Sequence, residues 1–321
     1  MTEFAQPRDT DLPQVAITLA SYRRPDGLAS ILPELLYQAA SVAERAQVEV
    51  IVIDNDPDGG ARDLVAEHLG VRYVHEPTPG IAAARNAGLD AAGEADAVVF
   101  IDDDELPDEG WLATLVGAWL EWGCEGVWGP VEYVYENMPS QWVATSGMFA
   151  RLTHETGADM TEAATNNLLL SLPFLRRHGL RFDTAFGLTG GSDLRITRAL
   201  IAAGGRIRWC DEAVVSEVVP DSRATPEWVL TRTARSTNVS LRTDLDIAPT
   251  ASARARIALD AAARGAYRMA RGTIRERLAA RAGRVSDASA AARDKARGLG
   301  QWQALTGYRR NEYRPADTAS V

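Results

Sequence analysis

Apolar and polar residues come in alternating blocks over the first third of the chain, and the blocks predict alternating strands and helices. Val15-Ala16-Ile17-Thr18-Leu19-Ala20 is a short β-prone run that stops at Ser21-Tyr22-Arg23-Arg24-Pro25. Leu28, Ile31, Leu32, Leu35 and Leu36 then recur at helical spacing. A second strand over 48–53 ends in Asp54-Asn55-Asp56-Pro57-Asp58-Gly59-Gly60, and a short helix over 62–68 leads to a third strand over 71–74. Pro79-Gly80 opens an Ala-rich helix over 81–92. Residues 97–101 form a fourth strand, apolar throughout as expected of a strand buried on both faces.

Repeated βα units with near-continuous apolar strands predict an α/β protein with a doubly wound, mostly parallel sheet. Ligands of such sheets bind off the carboxyl ends of the strands. Three polar clusters fall there: Ser21-Tyr22-Arg23, Asp54-Asn55-Asp56 and Asp102-Asp103-Asp104-Glu105. The second half is less regular. Residues 128–142 are aromatic and read as strand plus loop, and 166–172 as a strand. Gly187-Leu188-Thr189-Gly190-Gly191-Ser192-Asp193 is a loop opening a helix over 194–203, followed by short strands over 206–209 and 213–219. From about residue 250 the chain is Ala/Arg-rich and helical. The expected organisation is a disordered segment over 1–13, a catalytic domain over 14–245 and a helical region over 246–321, frayed from Arg314 onward.

Composition adds limits. With 46% hydrophobic and 24% charged residues the chain reads as an ordinary globular protein. Cys124 and Cys210 are far apart and outside any CxxC pattern, which fits free thiols in a reducing, cytoplasmic setting. Residues 1–13 carry no apolar leader, and no run of about 18 apolar residues predicts a spanning helix. The net charge of −10 is unevenly spread. Residues 1–249 hold 19 basic and 38 acidic side chains, whereas residues 250–321 hold 15 basic and 6 acidic ones. An acidic body does not suit nucleic acid, whose phosphates need a basic face.

Three adjacent carboxylates at the end of a buried strand repel one another unless a cation neutralises them. An oxygen-only set selects a hard ion, Mg²⁺ or Mn²⁺. In extended backbone Asp102 and Asp104 share a face and Asp103 points away. The bland alternative is a solvated acidic turn.

Phe100-Ile101-Asp102-Asp103-Asp104-Glu105, followed by Pro107 and Trp111, resembles the DxD segment of glycosyltransferase family 2, which has the GT-A fold. Residues 17–25 resemble that family's opening strand and loop. Val52-Ile53-Asp54-Asn55 resembles its second strand with a uridine-binding Asp, and residues 80–88 its "GxxxARNxG" helix. Thr165-Asn166-Asn167, residues 186–193 and Asp211-Glu212-Ala213-Val214-Val215 resemble the narrower succinoglycan-biosynthesis (ExoM-like) group. The resemblance covers roughly residues 14–245.

It implies an inverting, metal-dependent transfer of a sugar from a nucleotide diphosphate, UDP before others, to an acceptor hydroxyl. That acceptor is a saccharide, a lipid-linked glycan or a small molecule. Asp102 and Asp104 would hold Mn²⁺ or Mg²⁺. Glu217 stands where a late His ligand is common; it either joins them or pairs with Arg223 or Arg232. Arg85, near a helix N-terminus, would contact the diphosphate, or else form a surface ion pair. Ala20, Tyr22, Arg23, Asp54, Asp103 and Asn166 would line the nucleotide-sugar site, with Asp54 accepting from the base and Tyr22 flanking it. Asp193 would be the general base, or merely cap its helix. The family usually has Glu-Asp where this chain has Ser192-Asp193.

Trp128, Tyr133, Tyr135 and Trp142 read as a sugar-stacking platform or as core. The four histidines sit at no metal spacing, with His154 the one in the acceptor region. In the tail, Arg264, Arg268, Arg271 and Arg275 form one helical stripe beside Ala263, Tyr267, Ala270, Ile274 and Leu278. That pattern suits a helix on an anionic membrane or one packed on the acidic body. The rival readings are a nucleotidyltransferase on a similar sheet and a catalytically silent sugar-binding or scaffold subunit.

Overall fold

The computed structural model of the chain describes residues 12–186 and 190–308. Strands β1 (Gln14–Ser21), β2 (Gln47–Asp54), β3 (Val71–His75) and β4 (Ala97–Phe100) are joined by α1 (Pro25–Ser41), α2 (Arg62–Ala66) and α3 (Ile81–Ala91). All their pairings are parallel, in the order β3-β2-β1-β4. Next come β5 (Glu105–Pro107), α4 (Trp111–Trp122), β6 (Gly126–Trp128), β7 (Val131–Tyr135) and α5 (Gln141–Ala144). They are followed by β8 (Asp159–Met160), β9 (Leu168–Ser171), α6 (Leu172–Arg177), α7 (Ser192–Ala202), β10 (Ile207–Trp209) and β11 (Val215–Val219).

The main sheet continues from β4 through β9, β6 and β10 to β8. The sheet is mostly parallel as expected, with β9 reversed between β4 and β6 and β8 reversed at the edge. A fully apolar run such as Leu168-Leu169-Leu170 carries no sign of its direction, which is why sequence pattern missed this. A second sheet, β5-β11-β7, stands beside the first.

The side chains explain the layering. On β1, Val15, Ile17 and Leu19 pack with α1 and α4, through Leu28, Leu32, Trp111 and Leu115. Ala16 and Ala20 face the other way, toward α3 and α7. The small residues let α3 come close: a Cβ on Gly88 would lie 3.2 Å from the Thr18 Cβ. One helix escaped the sequence pattern. α4 is apolar nearly all round, so it offers no polar face to mark its period.

The helical region consists of α8 (Pro226–Ile247), α9 (Ala251–Arg281) and α10 (Val285–Leu305). It begins before residue 246, because α8 starts at Pro226 with the Thr225 hydroxyl accepting from the Trp228 N–H. α8 buries Thr233, Asn238, Arg242 and Thr243, polar residues that hid its buried face from a hydrophobicity count. α8 and α10 fasten the region to the sheet domain. Arg198 on α7 binds Asp244 on α8 at 2.6 Å, and Arg293 on α10 donates to the Ser146 carbonyl. α9 packs mainly on α10, through Ala261, Gly265, Gly272 and Ala279. A Cβ on Gly272 would meet the Lys295 backbone at 2.9 Å, so the two helices approach closely only because glycine is there. Among the described residues, no helix is long and apolar enough to cross a membrane.

Candidate active site

Past β4 the chain stays extended, and its carboxylates alternate. Asp103 and Glu105 turn inward and are 5% and 1% exposed; Asp102 and Asp104 face the cleft. Asp103 accepts from the Ser21 hydroxyl at 2.7 Å and from Arg24 Nη1 at 2.9 Å. Burial pushes its pKa up to about 6, with Arg24 opposing the shift. Glu105 accepts from the Asp102 N–H at 2.9 Å, and its other oxygen has no partner among the described residues. Burial, with the charge of Asp102 added, holds Glu105 well above the ordinary carboxylate range.

Glu105 lies directly opposite Glu217 in the β5–β11 register, a like-charge pairing that costs stability unless compensated. Glu217 is bound by Arg223 Nη1 at 2.7 Å, and Arg223 Nη2 also reaches Asp104 at 3.4 Å. Burial, followed by repulsion from Asp104, raises Glu217 to about 7. Arg24 Nη1 holds Asp104 from the other side at 2.8 Å. Asp102 meets Arg85 Nη2 at 3.4 Å. Its pKa is raised by removal from water, then by the charges of Asp104 and Asp193, against Arg85.

The residues expected to take the nucleotide lie at the ends of β1 and β2. Ala20 lines a niche with Thr18, Ile53, Ala84, Arg85 and Asp102. The Arg85 side chain is 11% exposed and lies over the Phe182 ring. Tyr22 is exposed on the rim, with Arg23 beside it bound to Asp56 and Asp58. Asp54, expected to accept from a base, is turned inward. It is 1% exposed and accepts from the N–H groups of Asp56 and Ala61 and from the Tyr73 hydroxyl. In this conformation its carboxylate is filled by protein donors and fixes the 54–61 loop. Asn55 fixes the next loop: it donates to the Glu76 and Thr78 carbonyls and accepts from the Gly80 N–H, where α3 begins.

Asp193 lies in the first turn of α7, half-buried, and its Oδ1 accepts from the Leu194 N–H. It is close enough to Asp102 for its charge to raise that group's pKa. Ser192 beside it is fully buried, with its hydroxyl unpartnered among the described residues. Gly187, Leu188 and Thr189 of the preceding loop lie outside the described residues. Asn166 is half-buried. Its neighbour Asn167 is buried at φ 87°, donating to the Pro130 and Ala213 carbonyls and accepting from Trp111 Nε1.

The expected aromatic platform divides in two. Tyr133 and Tyr135 meet Phe149 edge-on, and Phe149 stacks on Trp228. Trp128 packs against Trp209 instead, which also touches His154.

Sequence reasoning counted Glu105 in the acidic run without giving it an inward place, and it missed Arg24 as a member, and Phe149 and Trp228 beside it. Glu105 was available from the alternation that set Asp103 inward. Arg24 stood in the β1 loop facing three carboxylates, but no spacing rule pairs residues so far apart.

The cluster gathers six carboxylates, Asp102, Asp103, Asp104, Glu105, Glu217 and Asp193, against Arg24, Arg85, Arg223 and the nearby Arg232. The surplus of buried negative charge and the all-oxygen donors suit a hard divalent ion. Among the described residues no three acidic, His or Cys side chains converge as a finished metal site, since Asp104 and Glu217 are turned to arginines.

A sheet wound this way, with an acidic turn after its fourth strand and a helix-borne carboxylate across the cleft, defines a GT-A fold carrying a C-terminal helical region. The chain belongs to glycosyl transferase family 2, whose profile matches residues 17–179. It is 34% identical over 227 residues to the succinoglycan biosynthesis protein ExoM of Rhizobium meliloti, covering 69% of this chain and 72% of that one. A stretch of 76 residues is 43% identical to a pre-mycofactocin glycosyltransferase of Mycobacterium tuberculosis, covering 22% of this chain and 15% of that one. Among solved structures, residues 1–349 of S. aureus TarS are similar at 15% identity and a TM-score of 0.49, over 86% of this chain and 89% of that chain. The protein is thus a sugar transferase related to ExoM-like enzymes.

Proposed function

We propose that the protein inverts the anomeric centre as it moves a sugar from a nucleotide diphosphate to an acceptor hydroxyl. One observation carries this reading: Arg85, Asp102, Asp104 and Asp193 meet in one cleft at the strand ends, with Arg85 3.4 Å from Asp102 and Asp193 bearing electrostatically on the same carboxylate. The acceptor oxygen attacks the anomeric carbon as the bond to the β-phosphate oxygen breaks. Asp193 takes the acceptor proton, and Arg85 stabilises charge on the departing diphosphate. A divalent ion on Asp102 and Asp104 would supply Lewis-acid stabilisation of the same diphosphate. Arg24 and Arg223 would then share Asp104 with it, while Arg223 keeps Glu217 in place.

Tyr22 and Ala20 flank the nucleotide, and the likeness of residues 52–55 to a uridine-binding strand favours UDP. Asp54 acts on the base indirectly, by holding the 54–61 loop. Arg23 orients that loop through Asp56, Asp103 sets the acidic turn through Ser21, and Asn166 lies on the rim toward the sugar. The Tyr133, Phe149 and Trp228 rings, near Glu217, are the acceptor platform for a saccharide or a sugar-bearing lipid. Residues 14–225 are the catalytic unit and the helices from Pro226 its appendage.

The test is donor hydrolysis and transfer across a panel of nucleotide sugars, with Mn²⁺ or with a chelator. The reading requires turnover of a UDP-sugar that depends on the divalent ion and falls at least about a hundredfold in Asp193→Ala. Retention of anomeric configuration in the product, or full activity of Asp193→Ala, would sink it.

A further inference from the structure

The outer face of α9 is apolar where a solvent-facing helix should be polar. Leu259, Ala263, Tyr267, Ala270, Ile274 and Leu278 follow one another at spacings of three and four, so they lie on one side of the helix. All six are exposed, Leu259 at 73%, Tyr267 at 62%, Ile274 at 60% and Leu278 at 54%. The stripe lies opposite the packed face, because Ala261, Gly265, Gly272 and Ala279 are the residues that α9 buries. From Leu259 to Leu278 it runs for about 29 Å at 1.5 Å per residue. Scattered surface leucines need no explanation, but a continuous apolar ridge of this length does.

Charge indicates what covers it. Arg264, Arg271 and Arg275 border the ridge on one side, and Arg277 and Arg281 stand at its C-terminal end, all exposed. The one acid on this outer side, Asp260, is paired with Arg264. Glu276 lies on the α10 side, bound to Lys295 at 3.1 Å. The ridge is the outside of a single helix, a shape that suits a flat surface or another helix alike, so the arginine border rather than the shape identifies the occupant. A convex apolar strip edged by arginine is complementary to a flat surface with an apolar interior and anionic headgroups.

We propose that α9 lies in the headgroup region of an anionic lipid bilayer, its apolar ridge inserted and its arginines on the phosphates. α10 and α8 then connect the surface to the sheet domain. This inference is independent of the transfer reaction.

The test uses the full chain in co-sedimentation with large unilamellar vesicles of phosphatidylcholine alone or mixed with phosphatidylglycerol. Binding is expected to the mixed vesicles only, falling about tenfold between low and high salt as the charges are screened. The variant Tyr267→Ser/Ile274→Ser/Leu278→Ser should bind at least about tenfold more weakly, since each residue contributes buried apolar area. Arg271→Gln and Arg275→Gln should each weaken binding about fivefold, and they provide a second line of evidence if the serine variant is poorly behaved. No binding of the wild type to phosphatidylglycerol vesicles at low salt would overturn the proposal. So would binding by the serine and arginine variants that equals that of the wild type. Sedimentation velocity without lipid covers the remaining occupant: a dimer that the serine substitutions dissolve would assign the ridge to a second copy of the chain.

Discussion

The cleft of the sheet domain and the outer face of α9 each carry charge of one sign that the protein does not fully balance. In the cleft the surplus is negative, recessed and held by convergent geometry: Asp103 and Glu105 are buried, and arginines from three separate segments reach Asp102 and Asp104. On α9 the surplus is positive, exposed and spread along a helix. The difference is one of cost. Buried like charges raise one another's pKa and strain the fold, so such a cluster persists where a ligand relieves it. Exposed arginines cost little and act through attraction to a whole surface.

The largest effect separating the two regions should come from the cleft. Asp193→Ala is expected to lower kcat by about 10²- to 10⁴-fold, as loss of a general base does, with the circular dichroism spectrum unchanged. Asp104→Ala should fall in the same range and should also abolish the stimulation by Mn²⁺, read in the same transfer assay. The next effect is structural. Asn167→Ala leaves Trp111 Nε1 and the Pro130 and Ala213 carbonyls without their partner. Urea unfolding should report a loss of about 3 kcal/mol.

A smaller effect follows from titration. Glu217 and Asp103 have folded pKa values raised to about 7 and about 6, above their unfolded values. The folded state therefore binds protons more tightly. With a chelator present, these two groups should make the melting temperature rise as pH falls from about 8 to about 5. Mn²⁺ should flatten that slope, because it neutralises the same carboxylates; an unchanged slope would contradict the metal assignment. The smallest effect belongs to α9. Ile274→Ser should change folding stability by less than about 0.5 kcal/mol, since its side chain touches so little, while weakening vesicle binding.

The parallel half of the sheet was legible because its strands are uniformly apolar and are punctuated by polar loops. The ends of β1, β2 and β4 accordingly marked the rim of the cleft. Arg223 was among the partners offered for Glu217 and does bind it, but the partners of Asp54, Asp103 and Asp104 could not be read. Asp54 looks the same in sequence whether it faces a base or accepts from Tyr73 and Ala61, and only the folding of β3 beside β2 decides it. The α9 stripe was misleading in another way. Hydrophobic spacing marks the face that should be buried, but Gly265 and Gly272 give α10 a closer approach than any leucine could, so the glycine face packed and the apolar one stayed outside. The profile match ends at residue 179, before Asp193 and Glu217, so on that side only the narrower likeness to ExoM-like proteins was there to guide the reading.

Asn167 shows how narrowly one position can be written. Its φ of 87° favours glycine or asparagine, and its amide makes two donations and one acceptance that tie α4, the loop before β7 and the loop before β11 to the start of β9. Glycine would accept the backbone and lose every bond. Aspartate would keep the shape but aim oxygen at two carbonyls, and leucine would satisfy neither demand. The genetic alphabet therefore has a single letter that fits there, and drift at this codon is expected to be confined to synonymous change.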